Sequence, residues 1–440
     1  MVWQLVGIIA FVLIILASIA LHEMGHLIPA KRFGVKVTEY MIGFGPTLWS
    51  RRRGETNYGL KAVPVGGYIR MIGMIPPAKD DPEGRVRSIS TGRLALLVED
   101  TRRQSLEEIT PADADRVFYK LPVWKRVIVM LGGPFMNLVL AFVLFAAVLV
   151  GIGLPQTSLQ VNSVVPCLPT VAAPSGQPDA EGACDAGESP AAVAGLQAGD
   201  LILDYNGAPA GSWDELTAAI RSTPPGAADL TVQRLDGTVV DLTVPIAEVT
   251  RPVYDEAGQV TDEVETTGFL GVRPEFEYVR QPWSAVPEQM WDLTTRSVAA
   301  LVTLPVRVYE LLTETIIGGE ERSLDSPVSV VGVSRLGGEV AASQEPAEGK
   351  IAMFLGLAAS LNLFLFLFNL LPILPLDGGH VAGALYEGAR RQIARLRRKP
   401  DPGPVDVARL MPVAYVVAMA LVVVGGIVIL ADIIRPITLG

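Results

Sequence analysis

Four long apolar runs divide the chain. Trp3–Leu21, Val127–Leu154, Ile351–Leu376 and Leu410–Leu430 contain no charged residue. A helix crosses the hydrocarbon core with about 20 apolar residues, so each run predicts a spanning helix. The segments drawn from them are 1–30, 127–154, 351–380 and 410–434. A fifth apolar stretch, Val298–Val308, is flanked by Arg296, Arg307, Glu310 and Glu314. It predicts an amphipathic surface helix in a helix-and-linker segment, 281–350. A cleaved signal peptide is the alternative for the first run, with Ser18–Ala20 resembling a cleavage site. Residues 1–21 hold no Lys or Arg, however, so the positive leader of a signal peptide is missing.

Between the runs the periodicity shortens. Within the segment 31–126, "YMIGFGPTLWSRRRGETNYGLKAVPVGGYIRMIGM" alternates apolar and polar residues around glycine turns. That pattern predicts a β-hairpin or small sheet over 40–75. Residues 77–120 are rich in charge and read as a solvated loop with short helices. The segment 155–280 opens on a strand, "SLQVNSVV", followed by a Pro/Ala/Gly-rich insertion, 167–184, bracketed by Cys167 and Cys184. Next come a short helix, a strand, a turn at Asn206-Gly207, a helix from Trp213 to Arg221 and a hairpin turning at Asp236-Gly237. "GFLGVRPEF" supplies a last strand. This is enough for one small αβ domain, and its pattern does not repeat.

Composition and charge turn these elements into a topology. Half of the 440 residues are hydrophobic, too many for an ordinary soluble protein of this length. Residues 31–126 hold 18 Lys+Arg against 11 Asp+Glu, and residues 386–410 hold 7 against 3, whereas 155–350 is strongly acidic. The positive-inside rule places the two basic regions, including a 381–409 loop, in the cytoplasm and the acidic one outside. Both termini then lie outside. The formal net charge of −10 hides this division and offers nothing to nucleic acid. Cys167 and Cys184 fall on the outside, where a disulfide is chemically permitted.

The chemistry lies where the first run ends, in "ALHEMGHLI". His22 and His26 at i, i+4 stack on one helix face, with Glu23 beside the first. Such a pair can hold Zn²⁺ while the carboxylate acts on water as general base. A catalytic zinc needs a third protein ligand. "NLLPILPLDGGH", at the end of the third run, offers Asp377 and His380, and imidazole suits zinc. The first and third runs cross in the same direction, so their ends reach the same cytoplasmic-side depth. Asn369, Pro372 and Pro375 break up that end, and a buried Asn there could bond a developing oxyanion. Asn137, in "LGGPFMN" of the second run, reads equally well as a bond between helices.

These motifs resemble the site-2 protease family of intramembrane zinc metalloproteases, in particular its bacterial regulator-of-sigma-E branch. HEMGH is similar to the family's HExxH. "GFGPTLW" and "YGLKAVPVGGYIRM" are similar to its membrane-associated hairpin, "GGPFMN" to its second-span motif and "NLLPILPLDGGH" to its final motif. "SPAAVAGLQAGDLILDYNG" looks like a bacterial PDZ domain. The resemblance implies a polytopic α-helical membrane protein of a bacterial plasma membrane. It would have four transmembrane helices, both termini outside, a cytoplasmic-side membrane-associated β-hairpin and one extracytoplasmic PDZ domain. It implies one catalytic zinc held by His22, His26 and Asp377, Glu23 as base, and Asn369 in substrate binding or transition-state stabilisation. His380 would lie near the site without ligating. The implied substrates are single-pass membrane proteins such as anti-sigma factors, already cut by a separate upstream protease, and the surroundings are membrane lipid. The Cys-bracketed insertion departs from the family pattern.

Overall fold

The computed structural model describes residues 2–77, 109–169, 184, 186–254, 260–319, 322, 326–343 and 345–437. Most of the charged 77–120 stretch and of the Cys-bracketed insertion lies outside the described residues. The chain forms two units, Met1–Ile152 with Gln281–Gly440, and Gly153–Arg280.

In the first unit, the opening apolar run forms α1, Val2–Arg32. Lys31 and Arg32 occupy its last turn, where cations offset the helix dipole. Gly34 ends it at φ 85°, a left-handed position that glycine adopts without penalty. The second run forms α2, Val123–Ala146, prolonged by a wide turn to Ile152. Together with α7, Ala347–Asn369, and α9, Met411–Ile434, these helices are long and apolar enough to cross a membrane. The backbones of α1 and α2 touch. A Cβ placed on Gly25 would lie 2.2 Å from the Gly132 carbonyl oxygen, the close approach that small residues permit.

Two bent strands, β1 (Val37–Arg53) and β2 (Thr56–Met71), follow α1. Residues 39–42 pair twice, with 57–60 and again with 67–70. The two strands therefore curl into a small sheet whose 67–71 segment ends the pairing. Tyr40 donates a hydrogen bond to the Ala20 carbonyl at 2.6 Å, pinning this sheet to α1. Burial, reinforced by the nearby Glu23 carboxylate, pushes the Tyr40 phenol up to about 12, so it stays a donor at any physiological pH.

Two stretches read from the sequence as linker or loop are helical. The 281–350 segment holds α5, Ala285–Glu310, and also α6, Val330–Ala342. Asp432 of α9 accepts hydrogen bonds from the Ser329 and Gly332 backbone N–H groups, which satisfies the exposed donors at the start of α6. Gly337 and Gly338 then let α6 lie against Gly7 of α1. The third run is not one helix to residue 380. It stops at Asn369, residues 370–376 form an irregular turn containing Pro372 and Pro375, and a new helix, α8, runs from Asp377 to Leu396 through part of the expected 381–409 loop. Proline denies an N–H to a continuing helix.

α8 is fixed by a buried ion pair. Arg126 of α2 donates two hydrogen bonds to Glu387, at 3.1 and 2.5 Å, and Glu387 also accepts the Val405 N–H at 3.0 Å. Burial would raise the Glu387 carboxyl, but Arg126, the Val405 N–H and Arg391 outweigh it and hold it below its ordinary range. A carboxyl lowered on folding stabilises above its unfolded pKa, and that contribution is lost as pH falls through the folded value. Arg126→Ala leaves Glu387 charged and buried without its main partner. The expected cost is about 3–5 kcal/mol, read as a fall in the thermal midpoint of the detergent-solubilised protein. Acidification should shrink the gap between wild type and variant.

The second unit is built on an antiparallel sheet. Its path is β8-β7-β6-β4-β3-β9: Val260–Phe269, Val239–Tyr254, Gly226–Gln233, Leu201–Tyr205, Leu154–Val164 and Val272–Val279, with a two-residue β5, Ala208–Pro209, beside β4. Asn206 and Gly207, at φ 53° and 77°, make the tight turn between β4 and β5. The helix α4, Trp213–Ser222, starts with Ser212 accepting the Glu215 N–H, and a one-turn α3, Pro190–Val193, is capped likewise by Ser189. Leu216 and Ile220 bury against Ile202, Leu230, Val232 and Val244. The long β7–β8 hairpin has no counterpart in the sequence expectation. Cys167 and Cys184 are joined by a disulfide, their Cα atoms 5.3 Å apart.

Candidate active site

The last turns of α1 carry His22, Glu23 and His26. The i, i+4 spacing brings the two histidine Nε2 atoms to 3.2 Å from each other. The Asp377 Oδ2 atom lies 3.3 Å from each of them. Among the described residues this is the one cluster of His, Cys, Asp or Glu atoms close enough to share a metal ion. The arrangement depends on the break in the third run. Because the chain turns at 370–376 and restarts at Asp377, the first residue of α8 points its carboxylate at α1 rather than continuing past it.

Local partners decide which nitrogen is offered. His26 Nδ1 lies 2.8 Å from the Val129 carbonyl oxygen of α2. A carbonyl only accepts, so Nδ1 carries the proton and Nε2 is left with its lone pair. The Asp377 Oδ2 atom and His22 Nδ1 are buried without a hydrogen-bond partner. The His26 Nε2 lone pair faces the Asp377 carboxylate oxygen at 3.3 Å, a repulsion that a cation between them would relieve. The donor set also has the right size. A tetrahedral zinc with bonds of about 2.0–2.1 Å places its ligand atoms about 3.3–3.4 Å apart, close to the observed separations.

Glu23 is 8% exposed, and a Cβ placed on Gly67 would lie 3.0 Å from its Cγ. Gly67 thus lets the 67–71 segment approach α1 at this residue. A cavity of about 300 Å³ opens here, lined by His22, Glu23 and His26 from α1, Gly67, Tyr68 and Ile69 from the sheet, and Asn369, Asp377 and His380 from the broken third run. The structure therefore brings together His22, Glu23, His26, Asp377 and Asn369, with His380 beside them. Asn137 is buried in α2 and does not line the cavity. Cys167 and Cys184 belong to the other unit.

One residue of this site was legible only as a packing signal. Gly133 follows Gly132 in α2, and the pair reads in sequence as a place for close helix contact. In the structure a Cβ on Gly133 would lie 2.2 Å from His26 Nε2 and 2.7 Å from His22 Nε2. The missing side chain leaves the space beside both Nε2 atoms open.

Comparison with known proteins identifies the family. A family model described as peptidase family M50 matches residues 10–400. The chain is 37% identical over 438 residues to zinc metalloprotease Rip1 of Mycobacterium tuberculosis, covering 98% of each. It is 35% identical over 449 residues to the Rip1 of Mycolicibacterium smegmatis, covering 99% of this chain and 98% of the other. It is 28% identical over 457 residues to the regulator of sigma-W protease RasP of Bacillus subtilis, covering 93% and 96%.

Proposed function

This chain belongs to peptidase family M50, the site-2 proteases, and from that premise we propose that it hydrolyses a peptide bond within the transmembrane segment of single-pass membrane proteins. The observation that carries the proposal is the convergence of His22, His26 and Asp377 beside Glu23, where α1 and the chain leaving α7, two helices apolar enough to span a membrane, come together. His22, His26 and Asp377 would hold the zinc that the family uses. Zinc, when bound, polarises a carbonyl and makes water a better nucleophile near neutral pH. Glu23 takes a proton from the attacking water and returns it to the leaving amine. Asn369, which also lines the cavity, donates hydrogen bonds to the oxyanion or the substrate backbone.

A peptide bond inside a substrate helix is sterically hidden, so the helix must unwind to be cut. The 67–71 segment, at the end of the sheet and on the wall of the cavity, is placed to pair with the unwound stretch by strand addition. The charge distribution supports a plasma-membrane topology with both termini outside, the site toward the cytoplasm and the acidic Gly153–Arg280 unit, read as a PDZ domain, outside. Water is scarce in the bilayer core, and a site at the cytoplasmic ends of α1 and α7 stays close to it.

The name of the Bacillus relative supports anti-sigma factors as the substrate class. We read the outer domain as a size filter that excludes substrates until a separate protease has removed their ectodomain. The test uses purified protein and tagged single-span substrates with and without ectodomains. Wild type is expected to cut only the truncated set, whereas a variant lacking 155–280 cuts both. Intact substrates left uncut by the deletion variant would remove the filter, and cleavage outside the span would remove the intramembrane reading.

A further inference from the structure

α8 is built inside out. A helix on a soluble surface turns its charges to water and its apolar face to the core. Here Glu387 is 1% exposed and bonded to Arg126, and His380 faces the cavity. The outward face instead carries Leu385, Tyr386, Ile393 and Leu396, which are 56%, 61%, 49% and 79% exposed. With the exposed Ala389 these positions fall on one stripe at helical spacing. Beyond the stripe, the helix end and the residues after it present Arg395, Arg397, Arg398 and Lys399, all exposed.

A second set of residues marks the depth at which this face lies. α2 begins with Val123 and then Trp124, which is 57% exposed and packs edge-on against Phe33 at 5.6 Å. Lys125 sits over both rings, at 5.2 and 5.5 Å. Exposed tryptophan with lysine at the end of a spanning helix is the pattern of a membrane–water boundary. A Cβ on Gly388 would meet the Val123 side chain at 3.3 Å, so the middle of α8 is level with that boundary.

We infer that α8 lies along the cytoplasmic surface of the bilayer, its Leu385–Leu396 stripe among the acyl chains and its cationic end on anionic phospholipid headgroups. Amphipathic helices of this kind bind in the interface plane, and cations beside them favour anionic lipid. The consequence follows from the other end of the helix. α8 begins at Asp377, so the lipid surface that seats the helix also holds the third metal ligand against α1. This consequence rests on the proposed ligand role of Asp377. Anionic lipid is then a partner that tunes the site, recognised by Arg395, Arg397, Arg398 and Lys399.

The test reconstitutes the full-length protein in vesicles of phosphatidylcholine alone or mixed equally with phosphatidylglycerol. Wild type is expected to cut a truncated single-span substrate on the order of fivefold faster in the mixture. The R395Q/R397Q/R398Q/K399Q variant is expected to lose that gain while keeping the rate seen in phosphatidylcholine. A nitroxide attached through Ala389→Cys in the inactive Glu23→Gln protein reports the surface without catalysis, and should be shielded from aqueous relaxation agents in the mixed vesicles. A nitroxide open to water in both lipids, or an undiminished gain in the quadruple variant, overturns the inference. Asp377→Asn with its zinc content measured separates the two claims: retained zinc removes the ligand role and leaves the nitroxide to judge the lipid surface.

Discussion

Replacing Glu23 by Gln is expected to reduce peptide hydrolysis by about 10²–10⁴-fold, the range that general acid–base groups contribute, while zinc stays bound. The two side chains are nearly isosteric, and Glu23 contributes no atom to the His22–His26–Asp377 cluster. The amide keeps the packing against Gly67 but cannot accept a proton from water. The measurement is cleavage of a truncated single-span substrate, with metal content determined on the same preparation. Loss of activity with zinc retained one to one supports the base. Loss of zinc together with activity would make Glu23 part of the metal site, and retained activity would remove it from the chemistry.

Gly133→Ala should be nearly as damaging through a different route. The new methyl would stand 2.2 Å from His26 Nε2 and 2.7 Å from His22 Nε2, closer than any non-bonded carbon can approach. It competes directly for the volume beside the two nitrogens, and relieving the clash would mean pulling α2 out of its close backbone contact with α1 at Gly25 and Gly132. The expected result is loss of most bound zinc and a fall in activity of at least about 100-fold, the scale on which misplacement of reacting groups is felt. Gly425→Ala is the control. It lies in α9 with open space around its Cβ position, and alanine there should be neutral or stabilise the helix by roughly 0.5–1 kcal/mol. Wild-type zinc content in Gly133→Ala would contradict the placement of α2 against the histidines.

The sequence was most legible where one local rule decides the outcome. Uncharged runs of bilayer length gave the four long helices, and the i, i+4 spacing of His22 and His26 placed their rings together. It was least legible where polar partners far along the chain decide. α6 reads as a linker because its start depends on Asp432, about 100 residues away. The first residues of α8 read as the end of the third span and much of the rest as a basic loop. Its helix is held by Glu387 on Arg126, 261 positions apart, and its outward face is apolar, the reverse of a soluble surface helix.

The sequence alone thus determined the four long apolar helices, the contrast in charge between the segments that join them and the residue types of the site, because hydrophobic length, net charge and helical period are properties of neighbouring residues. His22 and His26 share a helix, so their proximity needed nothing else. Asp377, His380 and Asn369 lie more than 340 positions from them. From chemistry, either Asp377 or His380 could supply the third ligand, and only the tertiary structure sets their distances. The Pro-broken turn at 370–376 redirects the chain so that the Asp377 carboxylate, rather than the His380 ring, meets both histidines at 3.3 Å. Gly133 then leaves the space among them open, a role that follows from what surrounds the residue.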